Sequence, residues 1–150
     1  MYCVIKTLTG NLKIEEETGF ITRISFTDED VCSSSSVVLK KAAMQLNEYF
    51  SKQRQTFNLP LKFYGTDFQK KVWKALVKIP YGTVRSYKEI AVLIGNEKAA
   101  RAVGMANHKN PIMIVVPCHR VIGSNGTMTG YAYGIAIKEK LLELEGILKR

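Results

Sequence analysis

The chain has 150 residues, 46% hydrophobic and 23% charged, with no run of about 18 apolar residues. This reads as a soluble globular protein that buries a core without staples, in one ordinary domain or two small ones, and it excludes a membrane span. The net charge of +9 is uneven: residues 1–62 carry eight Lys/Arg and seven Asp/Glu, and residues 63–150 carry fourteen and six, so a polyanionic partner, most often nucleic acid, is expected of the second part.

The N-terminus, Met1-Tyr2-Cys3-Val4-Ile5-Lys6, lacks a signal-peptide pattern, which points to the cytoplasm, or the nucleus of a eukaryotic host. Three cysteines (Cys3, Cys32, Cys118) without CxxC spacing, and only two histidines (His108, His119), argue for reduced thiols and no structural metal.

In chain order, Tyr2–Thr7 and Leu12–Glu16 read as strands around a Gly10-Asn11 turn. A third run, 20–26, alternates, with Phe20, Thr22, Ile24 and Phe26 on one side against Ile21, Arg23 and Ser25. Val37, Val38, Leu39, Ala42, Ala43, Leu46, Tyr49 and Phe50 recur at helical spacing, and residues 51–64 look like a linker. Beyond it, Thr66 and Gln69 form a capping box for a helix carrying Phe68, Val72, Trp73, Leu76 and Val77, which stops at Ile79-Pro80-Tyr81-Gly82. Ser86 and Glu89 form a second box before a short helix that ends at Gly95-Asn96. A third helix, Glu97 to Asn107, is rich in small residues (Ala99, Ala100, Ala102, Ala106 and Gly104), with Arg101 as its only long basic side chain in the middle. Helix, glycine turn, helix is the helix-turn-helix pattern, and the small residues suit either a packing face or close approach to a ligand.

The apolar run 112–116 is long enough for a buried strand and delivers Pro117-Cys118-His119-Arg120 at its end. Taken alone, Cys118 is more simply an inert buried thiol. With His119 and Arg120 beside it, cationic or hydrogen-bonding groups are expected to lower its pKa and make it a nucleophile.

The stretch Pro117-Cys118-His119-Arg120-Val121-Ile122-Gly123 closely resembles the active-site motif of the O6-alkylguanine-DNA alkyltransferases, also called methylated-DNA–protein-cysteine methyltransferases. Gly65-Thr66-Asp67-Phe68-Gln69 with Val72-Trp73, Ile79-Pro80-Tyr81-Gly82, Ser86-Tyr87, Ala99-Ala100-Arg101-Ala102-Val103-Gly104, Asn110-Pro111, Gly130-Tyr131 and the segment 141–146 resemble that family in the same order. The resemblance implies an α+β chain of two domains. Residues 1–62 would be a small ribonuclease H-like α/β domain with an antiparallel sheet, and residues 63–150 a mainly helical, winged-helix-like domain containing the helix-turn-helix.

It further implies a single-turnover transfer of an alkyl group from O6 of guanine in duplex DNA to Cys118. His119 would act through a water as general base, oriented by Glu145, and Asn110 would be a hinge beside the reactive segment. Arg101 would fill the place of the flipped base. Ala99, Ala100 and Ala102 would let the helix into a minor groove about 6 Å wide. Tyr87 would act at the backbone phosphate and at guanine N3. Val121, Tyr131, Ala132 and Tyr133 would form the pocket, with carbonyls of Cys118 and Val121 receiving the exocyclic amine and the Ala132 N–H facing O6. No cofactor and no metal are implied, and a monomer is expected.

Three positions depart from the family pattern: Ala132 stands where serine is frequent, Tyr133 where glycine is, and Met105 where glycine is. The Tyr133 ring should narrow the pocket. Other readings are a lesion-binding relative, which would lack the acceptor cysteine; a helix-turn-helix regulator, which usually carries polar recognition side chains; and a cysteine hydrolase, which would need an oxyanion hole.

Overall fold

The first strands form because apolar residues alternate around turns that allow positive φ. In the computed structural model, which describes residues 1–124, 126, 131 and 133–147, β1 (Tyr2–Thr7), β2 (Gly10–Glu17) and β3 (Phe20–Phe26) make an antiparallel meander. Thr18 and Gly19, with φ of 49° and 86°, supply the two positive angles that a two-residue hairpin turn needs. The expected strict alternation in β3 fails. Arg23 pairs with Glu15 and Ile21 with Glu16, which leaves Thr22 as an extra residue opposite β2. This bulge shifts the side-chain phase by one, so Ile21 and Ile24 are both buried while Phe20 is exposed.

Helix α1 (Val37–Phe50) starts at Ser36, whose hydroxyl accepts from the Leu39 N–H at 3.3 Å, and it buries Leu39, Ala42, Gln45, Leu46 and Tyr49. The stretch expected to be a linker is fastened to this unit. Gln45 exchanges two hydrogen bonds with the Asn58 backbone (2.9 and 3.1 Å), and Pro60 and Lys62 pair with Ile21. Further along the same edge of β3, Ile24 pairs with Pro111 and Met113. One compact unit therefore comprises Met1–Tyr64 with Pro111–Met113, and a second comprises Gly65–Asn110 with Ile114–Arg150.

The second unit is mainly helical. Both capping boxes form: Thr66 and Gln69 open α2 (Asp67–Val77), and Ser86 and Glu89 open α3 (Tyr87–Leu93). The Trp73 indole donates to the Ala106 carbonyl at 2.9 Å and pins α2 to α4 (Ala100–His108). Helix α4 starts later than the expected Glu97. Residues 96–99 close a turn instead, with the Ala99 N–H on the Asn96 carbonyl, and Ala99 offers no side chain to cap the helix. α3, a turn at Gly95 (φ 82°) and α4 make the helix-turn-helix.

The expected strand over 112–116 is not one strand. All five residues are buried, but Ile114 has φ of 71° and the chain turns there. The peptide groups on either side answer to different partners, Met113 to Ile24 and Val116 to Asn110 and Cys118. A β-branched residue at positive φ costs roughly 1–2 kcal/mol, which the burial of its side chain offsets. The reactive segment follows as a 3-10 turn, Cys118–Arg120, then β5 (Val121–Ile122), which pairs in parallel with β4 (Arg85–Ser86). This ribbon sets the end of the Cys118 turn beside the start of α3, where Tyr87 lies. Helix α5 (Ile135–Leu144) completes the unit.

Candidate active site

Cys118 is held from both sides of its turn. Its N–H donates to the Val116 carbonyl (2.8 Å), its carbonyl accepts from the Asn107 amide (3.3 Å), and the Asn110 amide donates to the Val116 carbonyl (2.8 Å). The residue is 2% exposed. Burial pushes its thiol up to about 11, against a hydrogen bond from Asn110 and the nearby Lys138 cation. This corrects the expectation of a lowered pKa: desolvation outweighs the favourable groups, and the resting residue is a thiol.

His119 and Glu145, 26 residues apart in sequence, meet at 2.6 Å between Nε2 and Oε2, both side chains fully buried. Glu145 has further donors. Arg120 reaches it through Nε (2.8 Å) and Nη2 (3.0 Å), and the Gly82 N–H through Oε1 (3.2 Å). Burial pushes the Glu145 carboxyl up, but His119 and Arg120 overcome it and hold the group at about 2. Glu145 is thus an acceptor-only carboxylate, so Nε2 of His119 donates to it. His119 is pushed down by burial, against the pull of Glu145. Its Nδ1 is buried and has no hydrogen-bond partner among the described residues. A neutral imidazole with its proton on Nε2 leaves the Nδ1 lone pair as a base.

Arg120 also donates to the Ile79 carbonyl (2.7 Å), and Tyr81 to the Leu144 carbonyl (3.3 Å), which locks the Pro80-Tyr81-Gly82 turn to the end of α5. Lys138 is fully buried and donates to the Val121 carbonyl at 2.5 Å. Burial lowers it to about 8, against the pull of Cys118. Tyr131 is buried, its ring 5.8 Å from that of Tyr133 in an edge contact and 6.0 Å from Nζ of Lys138. Burial raises the Tyr131 phenol. Ala132 and Gly130 lie outside the described residues.

On the helix-turn-helix, Arg101 and Ala102 are exposed, Ala99 and Ala100 half-buried, and Val103, Ala106 and Asn107 turn inward. The Tyr87 ring lies over Gly104, where an added Cβ would meet it at 3.8 Å. Among the described residues no group of three or more His, Cys, Asp or Glu could hold a metal ion.

Cys118, His119, Asn110 and Val121 thus stand on one turn and its supports, with Glu145 brought in from the end of α5. Sequence reasoning missed Arg120 as the clamp on Glu145, and missed Lys138, Asn107 and Gly82. A signal was present for one of them. Lys138, Leu141, Leu142 and Glu145 fall at i, i+3, i+4 and i+7, the spacing of a single buried helix face, where two charges among leucines call for partners.

Two family models match. Residues 1–63 match 6-O-methylguanine DNA methyltransferase, ribonuclease-like domain, and residues 67–147 match 6-O-methylguanine DNA methyltransferase, DNA binding domain. A methylated-DNA–protein-cysteine methyltransferase of Methanosarcina barkeri is 62% identical over 106 residues, covering 71% of this chain and 67% of that one. A constitutive one of Bacillus subtilis is 47% identical over 97% of this chain and 95% of its own. A crystal structure of Mycobacterium tuberculosis OGT in complex with DNA superposes with a TM-score of 0.88 at 45% identity, covering 97% of this chain and 92% of that one. The chain belongs to the 6-O-methylguanine DNA methyltransferase family.

Proposed function

We propose that this protein repairs DNA by direct reversal: a single-turnover transfer of an alkyl group, methyl foremost, from O6 of guanine in duplex DNA to Sγ of Cys118. The observation that carries this reading is the buried His119–Glu145 contact of 2.6 Å on the residue next to Cys118. A thiol raised to about 11 needs a base, and His119 with a free Nδ1 lone pair is that base, reached through a water. Proton transfer to His119 places a cation between Glu145 and the new thiolate. Glu145, already ionised, stabilises it without reorganisation. The sulfur then attacks the alkyl carbon, the S–C bond forms, and the C–O6 bond breaks. As the C–O6 bond breaks, the electron pair stays on the base and Tyr87 passes its phenolic proton to N3, so guanine is left neutral and the phenolate recovers a proton from solvent. The thioether persists, because no second nucleophile cleaves it, and no cofactor takes part.

Duplex DNA is the partner. The base must leave the stack to be reached, and Arg101 fills the gap while Ala99, Ala100 and Ala102 keep α4 slim enough for the minor groove. Asn110 holds the reactive turn. The Val121 carbonyl, fixed by Lys138, takes the exocyclic amine together with the Cys118 carbonyl, and Tyr131 and Tyr133 wall the pocket. The protein acts as a monomer in the compartment that holds the DNA.

The test is intact-protein mass after incubation with duplex carrying one O6-methylguanine, beside Cys118→Ala. One added methyl group, mapped to Cys118 and absent in the variant, is expected. Tight lesion binding with no mass gain would move the protein to the lesion-binding class. Because the Tyr133 ring crowds the pocket, benzyl transfer is expected to be slower than methyl transfer in single-turnover assays; equal rates would refute the crowding.

A further inference from the structure

Lys71 and Lys74 on α2, with Lys78 just past its end, form a cationic strip that the alkyl-transfer site leaves unused. At 100° per residue, these lysines sit about 100° to 160° around the helix from Trp73, whose indole is turned to α4. None of the three has an acidic partner at ion-pair distance among the described residues. Together with Arg85 and Leu93 they line a cavity of about 420 Å³ whose other walls are Ala75 and Ile79. Ile79 is 3% exposed and forms the floor, Leu93 is exposed and gives the groove an apolar side, and Lys71, Lys74, Lys78 and Arg85 place four cations around it. The neighbouring acid, Glu89, is committed to the Ser86 N–H at 3.0 Å and caps α3. Leu93 lies about 120° around α3 from Tyr87, so the groove opens on a different side of α3 from the one that carries Tyr87.

We propose that this α2–α3 groove is a second docking site for the phosphate backbone of duplex DNA, separate from the face that presents the damaged base to Cys118. The inference rests on the reading of this protein as one that acts on DNA. Four cations without an acidic partner among the described residues suit a polyanion, and lysines act as point charges on phosphates without demanding one geometry. Among the described residues no aromatic side chain lines the groove, so it lacks the stacking platform of a single-strand site, and the duplex backbone is the favoured form. The groove holds a second stretch of duplex while α4 engages the first, which keeps the protein on DNA between lesions.

The experiment anchors the Cys118→Ala protein on a bead-bound lesion duplex of about 12 base pairs and titrates in a labelled undamaged duplex of about 30 base pairs at about 50 mM salt. Capture of the second duplex is expected. Lys71→Gln, Lys74→Gln and Lys78→Gln combined should weaken it about tenfold or more and flatten its salt slope by about 0.9 for each phosphate left without its lysine. The matching arginine replacements should retain capture. In the Cys118 background the same triple glutamine variant should methylate itself on the short duplex at the unaltered rate. No capture, or equal capture by the glutamine variant, overturns the proposal. Displacement of the second duplex by polyglutamate at far lower charge concentration than by competitor DNA overturns it in favour of an acidic protein partner. Loss of self-methylation in the glutamine variant overturns the separation of the two faces. Failure of the unmodified protein to methylate itself counts against the alkyltransferase reading, whatever the capture assay gives.

Discussion

At the scale of the residue, Glu145 joins the site together. It accepts from His119, from Arg120 twice and from the Gly82 backbone. Glu145→Gln strips the charge that Arg120, 5% exposed, was buried to meet. Leaving a buried cation unpaired costs about 3–5 kcal/mol, to be read by urea unfolding. Transfer should slow by about 10² or more in single turnover, because the imidazolium loses its partner. The pH dependence has a definite sign. The Glu145 carboxyl is held below its ordinary 4.5, at about 2, so its stabilisation is complete above 4.5 and is lost as pH falls toward 2. Acid unfolding of Glu145→Gln should therefore be flatter through that window.

Cys118 behaves in the opposite sense. Its thiol is raised from 9.0 to about 11, so its contribution to stability is complete below 9 and lost as pH rises to 11. Iodoacetamide should modify Cys118 of the free protein slowly at neutral pH and ever faster through that range. A plateau below pH 8 would contradict a buried thiol. His119 was legible beside Cys118 because the two are adjacent in the chain. The Arg120 clamp was not, since its partner lies 25 residues away in sequence and only the packing of α5 brings it there.

At the scale of the element, two glycines separate packing from propensity. A Cβ at Gly65 would stand 2.7 Å from the Trp73 ring, and Trp73 is itself pinned to Ala106. Gly65→Ala should destabilise the protein by roughly 1–3 kcal/mol, the usual cost of overpacking. A Cβ at Gly104 would meet the Tyr87 ring at 3.8 Å, an ordinary contact. Gly104→Ala should therefore leave stability unchanged or raise it by up to about 1 kcal/mol through helix propensity. Thermal unfolding of both variants checks the pair. The capping boxes of α2 and α3 were readable because caps are local chemistry. The β3 bulge and the turn at Ile114 were not: local pattern favours a continuous strand, and competition among distant hydrogen-bond partners broke it.

At the scale of the whole molecule, alkylation should couple back to folding. Cys118 is 2% exposed in a packed turn, and a new methyl group there overfills a site with little room to relax. The methylated protein is expected to lose about 1–3 kcal/mol relative to the free form, seen as a lower Tm after reaction with lesion duplex. An unchanged Tm would mean that the pocket already holds space for the product.

The strand-then-helix order, both capped helices, the concentration of positive charge after residue 62 and the Cys118-His119 pair were all legible along the chain. Each depends on neighbours a few residues apart or on simple composition. That Cys118 rests as a thiol, that Arg120 and Gly82 share Glu145, and that Lys138 serves the Val121 carbonyl came from packing alone. Those outcomes turn on burial and on partners distant in the chain, and desolvation acts on a group only once the fold has closed over it.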